Sequence, residues 1–385
     1  MTVYFDYQCF QQKVGGVSRC FCELIKHMPA DIACKILVKA SENLYLRDPQ
    51  LLPDLPSPRL TYDNYAGAIS FKGRRRLFTW LDRNVPFFPS FTSINRRYAK
   101  AALAAGDFDI CHVTMQEETC LLDYLAGKPF VFTVHDMIWE LFPTPLRQKW
   151  SRQKRLFCQK AAHIVAVSEH TKHDLMRLWQ IPEENITVIY HGAPDMSDHT
   201  YTDIVGQPYF LFVGRREGYK NFEQTLYAFA HFHQHHPEVM LLCTGSPFTP
   251  REQRMIDALH LTDKVRCRYV SDEDLYNLYH YAIAFIFPSI YEGFGIPILE
   301  AFANGCPVLL NDTSCFPEIG GDAAVYFHAD LQGDSDLSEK MAYIYSLPAD
   351  QRRRIVDRGR QRAEQFTWHA AAQRLAEVYR KVMGR

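Results

Sequence analysis

The stretch Pro288-Ser289-Ile290-Tyr291-Glu292-Gly293-Phe294-Gly295-Ile296-Pro297-Ile298-Leu299-Glu300-Ala301 decides how this part of the chain folds. The apolar run 283–287 ends just before it, as a buried parallel strand does. Two glycines follow, and then Pro297, which suits the start of a helix because no N–H is needed there. The stretch therefore predicts a strand, a glycine-rich loop and a helix N-terminus, in that order.

The predicted helix start has no side chain suited to cap it. Ser, Thr, Asp and Asn are absent between Glu292 and Pro297, so the first N–H groups lack an obvious acceptor. Free N–H groups and the positive end of the helix dipole attract anions, and glycines let a phosphate come close. A packed loop in front of an ordinary helix has the same glycines, so the stretch taken alone leaves both interpretations open.

Two carboxylates flank this loop. Glu292 precedes the glycines, and we expect Glu300 in the first helical turn. An ionised carboxylate repels phosphate but accepts strong hydrogen bonds from hydroxyl groups. A phosphate site framed by two hydroxyl acceptors fits a nucleotide sugar, with one carboxylate for the ribose and one for the donor sugar.

Length and composition limit the class of protein. The chain has 385 residues, a length that indicates two domains, and its composition, 47% hydrophobic and 23% charged, is that of a globular protein. Its net charge of −1 gives no general attraction for nucleic acid. No apolar run is long enough to span a membrane, and the N-terminus has no signal-peptide pattern. The 11 cysteines are scattered, several of them in apolar runs, which suits a reducing cytosol. We therefore expect a soluble, cytoplasmic protein.

Apolar runs alternate with helical patterns in two series, which meet at a stretch of low apolar content, 191–207. Such alternation predicts an α/β fold with doubly wound parallel sheets. The expected strands are 2–6, 109–114, 129–134, 163–168 and 186–190 in the first series, and 209–213, 239–243, 265–269, 283–287, 308–310 and 324–327 in the second. We expect a domain over 1–200, a second over 201–365 and a closing helix over 366–385.

Cations and a histidine follow other predicted strands. Arg215 and Arg216 come after strand 209–213, and Lys220 opens the next helix, so these cations could neutralise a diphosphate. Salt bridging is the alternative. His135 ends strand 129–134, where ligand-binding residues of parallel sheets collect, and its role is open between a proton donor, an orienting group and a structural histidine.

Residues 71–100 combine basic and aromatic side chains. Eight Lys and Arg stand against one acid, Asp82, and the aromatic residues between them are Phe71, Phe78, Trp80, Phe87, Phe88, Phe91 and Tyr98. This pattern suits an anionic membrane surface or a phosphorylated lipid. A solvated basic face over packed aromatic residues is an equal alternative. Nucleic acid is a weaker one, because no nucleic-acid motif accompanies the stretch.

Several motifs together resemble one family. They are the E-x7-E pair Glu292 and Glu300, Gly305-Cys306-Pro307-Val308, Pro317-Glu318, Gly214-Arg215, Lys220-Asn221, Val134-His135-Asp136, Val167-Ser168-Glu169 and Gly15-Gly16-Val17-Ser18-Arg19. This set, which spans nearly the whole chain, resembles the retaining glycosyltransferases of the GT4 family. The resemblance implies the GT-B fold, with two Rossmann-like domains that face each other across a cleft, the first for the acceptor and the second for a nucleotide sugar.

The resemblance also implies a role for each site residue. Arg215 and Lys220 would bind the donor diphosphate, Glu300 the ribose and Glu292 the donor sugar. His135 would contact the sugar, Gly16 would approach the phosphates and the acceptor, and Val270 would lie near the base. The catalytic set is His135, Arg215, Lys220 and Glu292; the donor-binding set is Gly16, Val270, Gly293, Phe294, Gly295, Ile296 and Glu300. No metal or other cofactor would be required.

Within the family, the chain looks like the bacterial enzymes of surface-polysaccharide and lipopolysaccharide assembly. That similarity implies transfer of mannose from GDP-mannose to a glycan or a polyprenyl-diphosphate-linked acceptor, at or near the inner face of the cytoplasmic membrane. A UDP-hexose donor is the main alternative. A non-catalytic nucleotide-sugar-binding protein is another, which the intact set of site residues disfavours. A dehydrogenase fits worse, because no G-x-G-x-x-G follows the first strand.

Overall fold

Two sheets of six parallel strands frame the chain in this computed structural model, which describes residues 1–51, 59–125, 127–216 and 218–384. The first sheet has the order β2-β1-β3-β4-β5-β6 and contains β1 (Thr2–Phe5), β2 (Ala33–Ile36), β3 (Ile110–Val113), β4 (Phe130–Val134), β5 (His163–Ala166) and β6 (Ile186–Val188). The second has the order β12-β11-β10-β7-β8-β9 and contains β7 (Tyr209–Phe212), β8 (Met240–Thr244), β9 (Val265–Arg268), β10 (Phe285–Phe287), β11 (Val308–Asn311) and β12 (Val325–Phe327).

Helices connect the strands of both sheets. In the described ranges those of the first series are α1 (Gly16–Lys26), α2 (Arg74–Asn84), α3 (Phe91–Ala105), α4 (Ile138–Leu141), α5 (Pro145–Lys160) and α6 (Glu169–Trp179). The later ones are α7 (Phe222–His233), α8 (Pro250–Ala258), α9 (Asp272–Tyr281), α10 (Ile296–Ala303), α11 (Phe316–Gly320), α12 (Leu337–Ser346), α13 (Ala349–Glu364) and α14 (Trp368–Val382). None of these described helices is long and apolar enough to cross a membrane.

Local sequence explains where several helices begin. Thr249 accepts a hydrogen bond from the backbone of Glu252, whose side chain bonds back to the backbone of Thr249, so α8 starts with a capping box and has Pro250 in its first turn. The hydroxyl oxygen of Ser90 caps α3 in the same direction by accepting from Ser93 N. These polar starts fix the helix boundaries before any packing against a sheet.

The expected α/β fold with two doubly wound parallel sheets is confirmed, and each expected strand is present with ends that differ by one or two residues. The strand β2 was missed. Its first three residues are exposed or half-buried at the edge of the sheet, so the segment lacks the apolar run by which the other strands were recognised.

The chain divides into two compact units. The first comprises Met1–Val167, Lys172–Ile189 and Trp368–Arg385, and the second comprises Ser168–Thr171 and Tyr190–Thr367. The first unit thus contains α14, which packs against α1. The acceptor and donor roles that we assigned to the ranges 1–200 and 201–365 stay predictions.

A buried polar chain fastens α14 inside the first unit. His112 on β3 is fully buried; its Nδ1 lies 2.6 Å from the hydroxyl of Tyr379, and its Nε2 lies 2.8 Å from Oγ1 of Thr133. Burial lowers the pKa of His112 from 6.5 to about 3, so the ring is neutral, with one nitrogen donating and the other accepting. Because the unfolded chain takes up a proton that the folded ring refuses, this residue lowers the free energy of unfolding progressively as pH falls below about 6.5.

We expect Tyr379→Phe to lower the free energy of unfolding of the first unit by about 1–3 kcal/mol, because it leaves a buried ring nitrogen of His112 without its partner. Urea unfolding followed by circular dichroism measures the effect. Tyr343→Phe is the matched control, since that side chain is 49% exposed. Equal midpoints for the Tyr379 variant and the wild type would contradict this role.

Candidate functional site

The stretch from residue 288 to 301 forms the strand, loop and helix that its sequence predicts. β10 ends at Phe287 and α10 begins at Ile296, after Gly295 with φ 92° and ψ 55°, and no side chain caps the helix. A Cβ at Gly295 would lie 2.9 Å from Cδ1 of Ile298, so both conformation and space require glycine there. Pro297 is the second helical residue, and Glu300 lies in the second turn; our placement of Glu300 in the first turn was wrong, because the helix begins one residue before the proline.

The start of α10 offers its backbone N–H groups. Within the described part of the chain, none of the N–H groups of residues 293–296 donates a hydrogen bond. Residues 293 and 294 are buried, and residues 295 and 296 are half-buried. Buried donors without acceptors are costly, so an acceptor from a ligand is expected at this place.

The carbonyl groups of the same loop are held from the side of α11. The hydroxyl of Ser314 donates to Glu292 O at 2.7 Å and accepts from Glu292 N at 3.1 Å. The thiol of Cys315 donates to Phe294 O at 3.1 Å. These bonds fix the loop while leaving the N–H groups at the helix start available.

A second clamp involves the short segment Ser168–Thr171, which clusters with the second unit. Gly293 O accepts from the hydroxyl of Ser168 at 2.6 Å and from that of Thr171 at 3.2 Å. The carboxylate of Glu318 accepts the backbone N–H groups of residues 169–170 at 2.6 and 3.1 Å. The motifs Val167-Ser168-Glu169 and Pro317-Glu318 therefore meet at the glycine loop, an arrangement that the sequence did not indicate.

Lys220 and Glu292, which we assigned to different parts of a donor, form an ion pair. Lys220 Nζ lies 2.6 Å from Glu292 Oε1, and both side chains are largely covered, at 19% and 11% exposed. Lys220 ends the 3-10 helix Gly218–Lys220, and its ammonium lies 5.6 Å from the ring centre of Phe287. At the start of the loop, the pair places one cation beside one carboxylate that can accept hydrogen bonds from hydroxyl groups.

The structure separates the two neighbouring arginines. Arg216 is held inside the fold: its Nε lies 2.8 Å from Glu252 Oε1, and its guanidinium stacks 4.9 Å from the ring centre of Phe248. Arg215 is exposed and makes no hydrogen bond or ion pair with the described residues. Of the two, Arg215 is the arginine whose side chain is exposed, and its role in binding a diphosphate stays a prediction.

Glu300 lies on the buried side of α10. The residue is 6% exposed, and its Oε2 accepts from the hydroxyl of Tyr279 at 3.4 Å. Burial and the neighbouring carboxylate raise the pKa of Tyr279 well above its usual value, so this hydroxyl stays a donor. Val270 is half-exposed in the turn between β9 and α9, next to Tyr269, whose side chain is 77% exposed.

The first unit carries the two remaining residues of the set. His135 follows β4 and is half-buried; burial lowers its pKa from 6.5 to about 4, and the ring bonds to the backbone of Thr114. Gly16 is exposed as the first residue of α1, after β1. Because β1 and β4 are parallel members of one sheet, both residues lie at its carboxyl edge.

A buried lysine, Lys154, supports the loop that follows His135. Lys154 on α5 is 3% exposed; its Nζ donates to Asp136 O and to Glu140 Oε2, both at 2.9 Å. Within a helix rich in exposed basic residues, nothing in the sequence marks this one as buried. Among the described residues, no cluster of three His, Cys, Asp or Glu is arranged to hold a metal ion.

Two family models match consecutive parts of the chain. Residues 14–195 match Glycosyltransferase Family 4, and residues 201–362 match Glycosyl transferases group 1. The match of the second model includes the glycine loop and all the candidate residues of the second unit.

Relatives and solved structures agree with these models. The chain is 28% identical over 321 residues to the MMP alpha-(1->4)-mannosyltransferase of Mycolicibacterium hassiacum, with 77% of each chain covered. It is 28% identical over 291 residues to O-antigen chain mannosyltransferase B of Escherichia coli, covering 65% of this chain and 70% of that one. The crystal structure of Anabaena Alr3699/HepE in complex with UDP and glucose has a TM-score of 0.72 at 16% identity, with 98% of both chains covered, which confirms the GT-B fold.

We expect Gly295→Ala to lower the free energy of unfolding of the second unit by about 1–3 kcal/mol, because the new methyl group meets Ile298 in a left-handed backbone conformation. Gly206→Ala is the matched control, since Gly206 also has a positive φ but nothing within 4 Å of the added Cβ. Thermal unfolding of both variants measures the difference. An effect at Gly295 no larger than at Gly206 would show that the loop is not packed as described.

Proposed function

The chain belongs to glycosyltransferase family 4, and we propose that it transfers mannose from GDP-mannose, with retention of configuration, to a glycan or lipid-linked acceptor in cell-surface polysaccharide synthesis. The observation that carries the nucleotide-sugar proposal is the set of available N–H groups at residues 293–296, flanked by cations and by two carboxylates. The donor sugar and the pathway are supported by the names of the two relatives reported above, both of which are mannosyltransferases, one of them for O-antigen chains.

The donor diphosphate is assigned to the helix start and the cations beside it. Residues 293–296 would donate backbone hydrogen bonds to phosphate oxygens, with Arg215 binding by its planar fork and Lys220 as a point charge. Burial of the loop strengthens these interactions by excluding water.

The hydroxyl groups of the donor are assigned to the two carboxylates. Glu300, fixed on α10 beside Tyr279, would accept from the ribose, and Glu292 from the transferred sugar. Binding of the diphosphate would draw Lys220 away from Glu292 and free that carboxylate for the sugar. Val270 and the exposed ring of Tyr269 would border the base.

The proposed reaction needs no protein nucleophile. The acceptor oxygen would bond to the anomeric carbon on the face from which the diphosphate leaves; the bond from that carbon to the diphosphate would break, and the acceptor proton would pass to a diphosphate oxygen. The products are the glycoside and GDP. The residues assigned here stabilise the leaving diphosphate electrostatically, and these cations and N–H groups supply its countercharge without a metal ion.

Two residues of the first unit would complete the site. His135, whose lowered pKa of about 4 keeps it neutral at physiological pH, would hydrogen-bond the donor sugar without adding charge. Gly16 would let the donor phosphates and the acceptor come close to the start of α1. The enzyme would act in the cytoplasm, where an acceptor on a polyprenyl diphosphate lies at the inner face of the membrane, with peripheral contact to anionic lipid.

The direct test is thermal unfolding of the protein with GDP-mannose, UDP-glucose, GDP and UDP. A ligand at a hundred times its Kd adds about 2.7 kcal/mol to the folded state, so we expect GDP-mannose and GDP to raise Tm and the uridine nucleotides to leave it unchanged. Arg215→Ala should lose most of this shift, whereas Arg353→Ala, which removes an exposed arginine from α13, should keep it. If UDP-glucose alone raised Tm, the donor would be UDP-glucose and not GDP-mannose. If none of the nucleotides raised Tm, the proposal would be overturned.

A further inference from the structure

Helix α2 exposes two of its four large apolar side chains, Leu77 and Trp80. Asp82 is its only buried residue among the 11, bonded to the hydroxyl of Ser90 and 3.7 Å from the guanidinium of Arg96. Trp80 is 56% exposed, and Leu77 is 42% exposed. A surface helix of a globular domain normally buries its apolar residues and exposes its carboxylates, and Leu77, Trp80 and Asp82 all depart from that arrangement.

Exposed apolar residues continue on both sides of α2 in the chain. Ile69 and Phe71 precede the helix at 69% and 42% exposed, and Phe87 follows it at 82%. We name Ile69, Phe71, Leu77, Trp80 and Phe87 the α2 surface. Other aromatic residues of the region do pack inside: Phe78 lies against Tyr65 and Phe88, and Phe91 is buried. The alternative of packed aromatic residues under a solvated basic face therefore holds for only part of the stretch.

The charged side chains that residues 71–100 expose all have one sign. Lys72, Arg75, Arg76, Arg83 and Arg97 are exposed, while the single acid between residues 71 and 100, Asp82, is buried. Exposed aromatic and aliphatic residues surrounded by cations, without an exposed acid among residues 71–100, complement an anionic interface with an apolar interior.

This surface adjoins the carboxyl edge of the first sheet. Desolvation raises the pKa of Glu117, in the loop after β3, and Arg75 and Arg83 on α2 lie close enough to oppose that rise. Arg96, on α3, forms a bidentate ion pair with the carboxylate of Glu118, with N–O distances of 2.8 and 2.7 Å. The same edge carries His135 and Gly16, so the α2 surface is next to the place where our proposed function puts the acceptor.

We propose that the α2 surface docks the enzyme on an anionic lipid bilayer, with Trp80, Leu77 and Phe87 entering the headgroup boundary and Arg76 and Arg83 pairing with lipid phosphates. This inference rests on the proposed function for its purpose, which is access to a lipid-linked acceptor, but not for its physical basis. The docking is peripheral and reversible, because a few side chains and charges bind far less tightly than a spanning helix.

Sedimentation with vesicles tests the docking. We expect the full chain to bind vesicles of phosphatidylcholine mixed with phosphatidylglycerol at low salt, to bind phosphatidylcholine alone much less, and to dissociate as salt rises. Absence of binding to the anionic vesicles at low salt, or equal binding to both, would overturn the proposal. Equal binding would point to apolar adsorption without charge recognition.

Matched variants locate the surface. Arg76→Gln with Arg83→Gln should weaken binding by about fivefold for each charge removed, whereas Arg353→Gln with Arg358→Gln, two exposed arginines on α13, should not change it. Trp80→Ser with Phe87→Ser should weaken binding roughly tenfold or more, whereas Tyr227→Ser, a comparably exposed aromatic on α7, should not. Binding lost equally in the control variants would contradict the assignment to α2.

A fluorescence measurement keeps the test independent of folding losses. Brominated phosphatidylcholine in anionic vesicles should quench part of the tryptophan emission of the wild type, and Trp80→Phe should remove that part while retaining vesicle binding. Unchanged quenching in this variant would place the contact elsewhere. Thermal unfolding with the nucleotide sugar, measured on the same proteins, separates the two proposals. Docking without nucleotide binding would contradict only the proposed function, and nucleotide binding without docking would contradict only the docking proposal.

Discussion

The structure of the second unit depends on a helix start whose N–H groups find no acceptor among the residues that the structure describes. Gly295 turns the chain into α10 with a backbone that only glycine adopts readily, and it brings no side chain that could occupy the place of a ligand. The fold keeps this costly arrangement by fixing the carbonyl side of the loop. Ser168, Thr171, Ser314 and Cys315 donate to the carbonyls of residues 292–294, so the donors at residues 293–296 remain directed at whatever binds there.

Charged side chains around this helix start have partners within the protein. Lys220 and Glu292 neutralise each other at 2.6 Å, and Arg215 remains in solvent, while Arg216 is committed to Glu252 and to the ring of Phe248. Neither charged partner of the pair is buried alone, which would cost far more than the pair does. A diphosphate and a sugar offer each member of the pair a new partner of the right kind, which fits the glycosyltransferase family to which the chain belongs.

The sequence was most informative where one local rule acted. Parallel strands buried on both faces are continuous apolar runs, and the glycine loop before Pro297 indicates a helix start, so the α/β fold and the local geometry at α10 could be predicted from pattern. The half-exposed edge strand β2 has no such run. Contacts between distant segments were also beyond the pattern: Glu318 accepting from residues 169–170, and Lys154 buried in a basic helix, depend on tertiary packing. Sequence patterns place the aromatic residues of a surface helix inside and its acids outside. In α2 the structure shows Trp80 exposed and Asp82 buried.

The most direct test of the account is titration calorimetry of GDP against the wild type, Glu300→Gln and Glu292→Gln. If Glu300 holds the ribose and Glu292 the transferred sugar, Glu300→Gln weakens binding of GDP itself, whereas Glu292→Gln, which releases Lys220 from its ion pair, does not weaken GDP binding and impairs turnover of the sugar donor. Equal loss of GDP affinity in both variants, or none in either, would contradict the division of roles around the helix start.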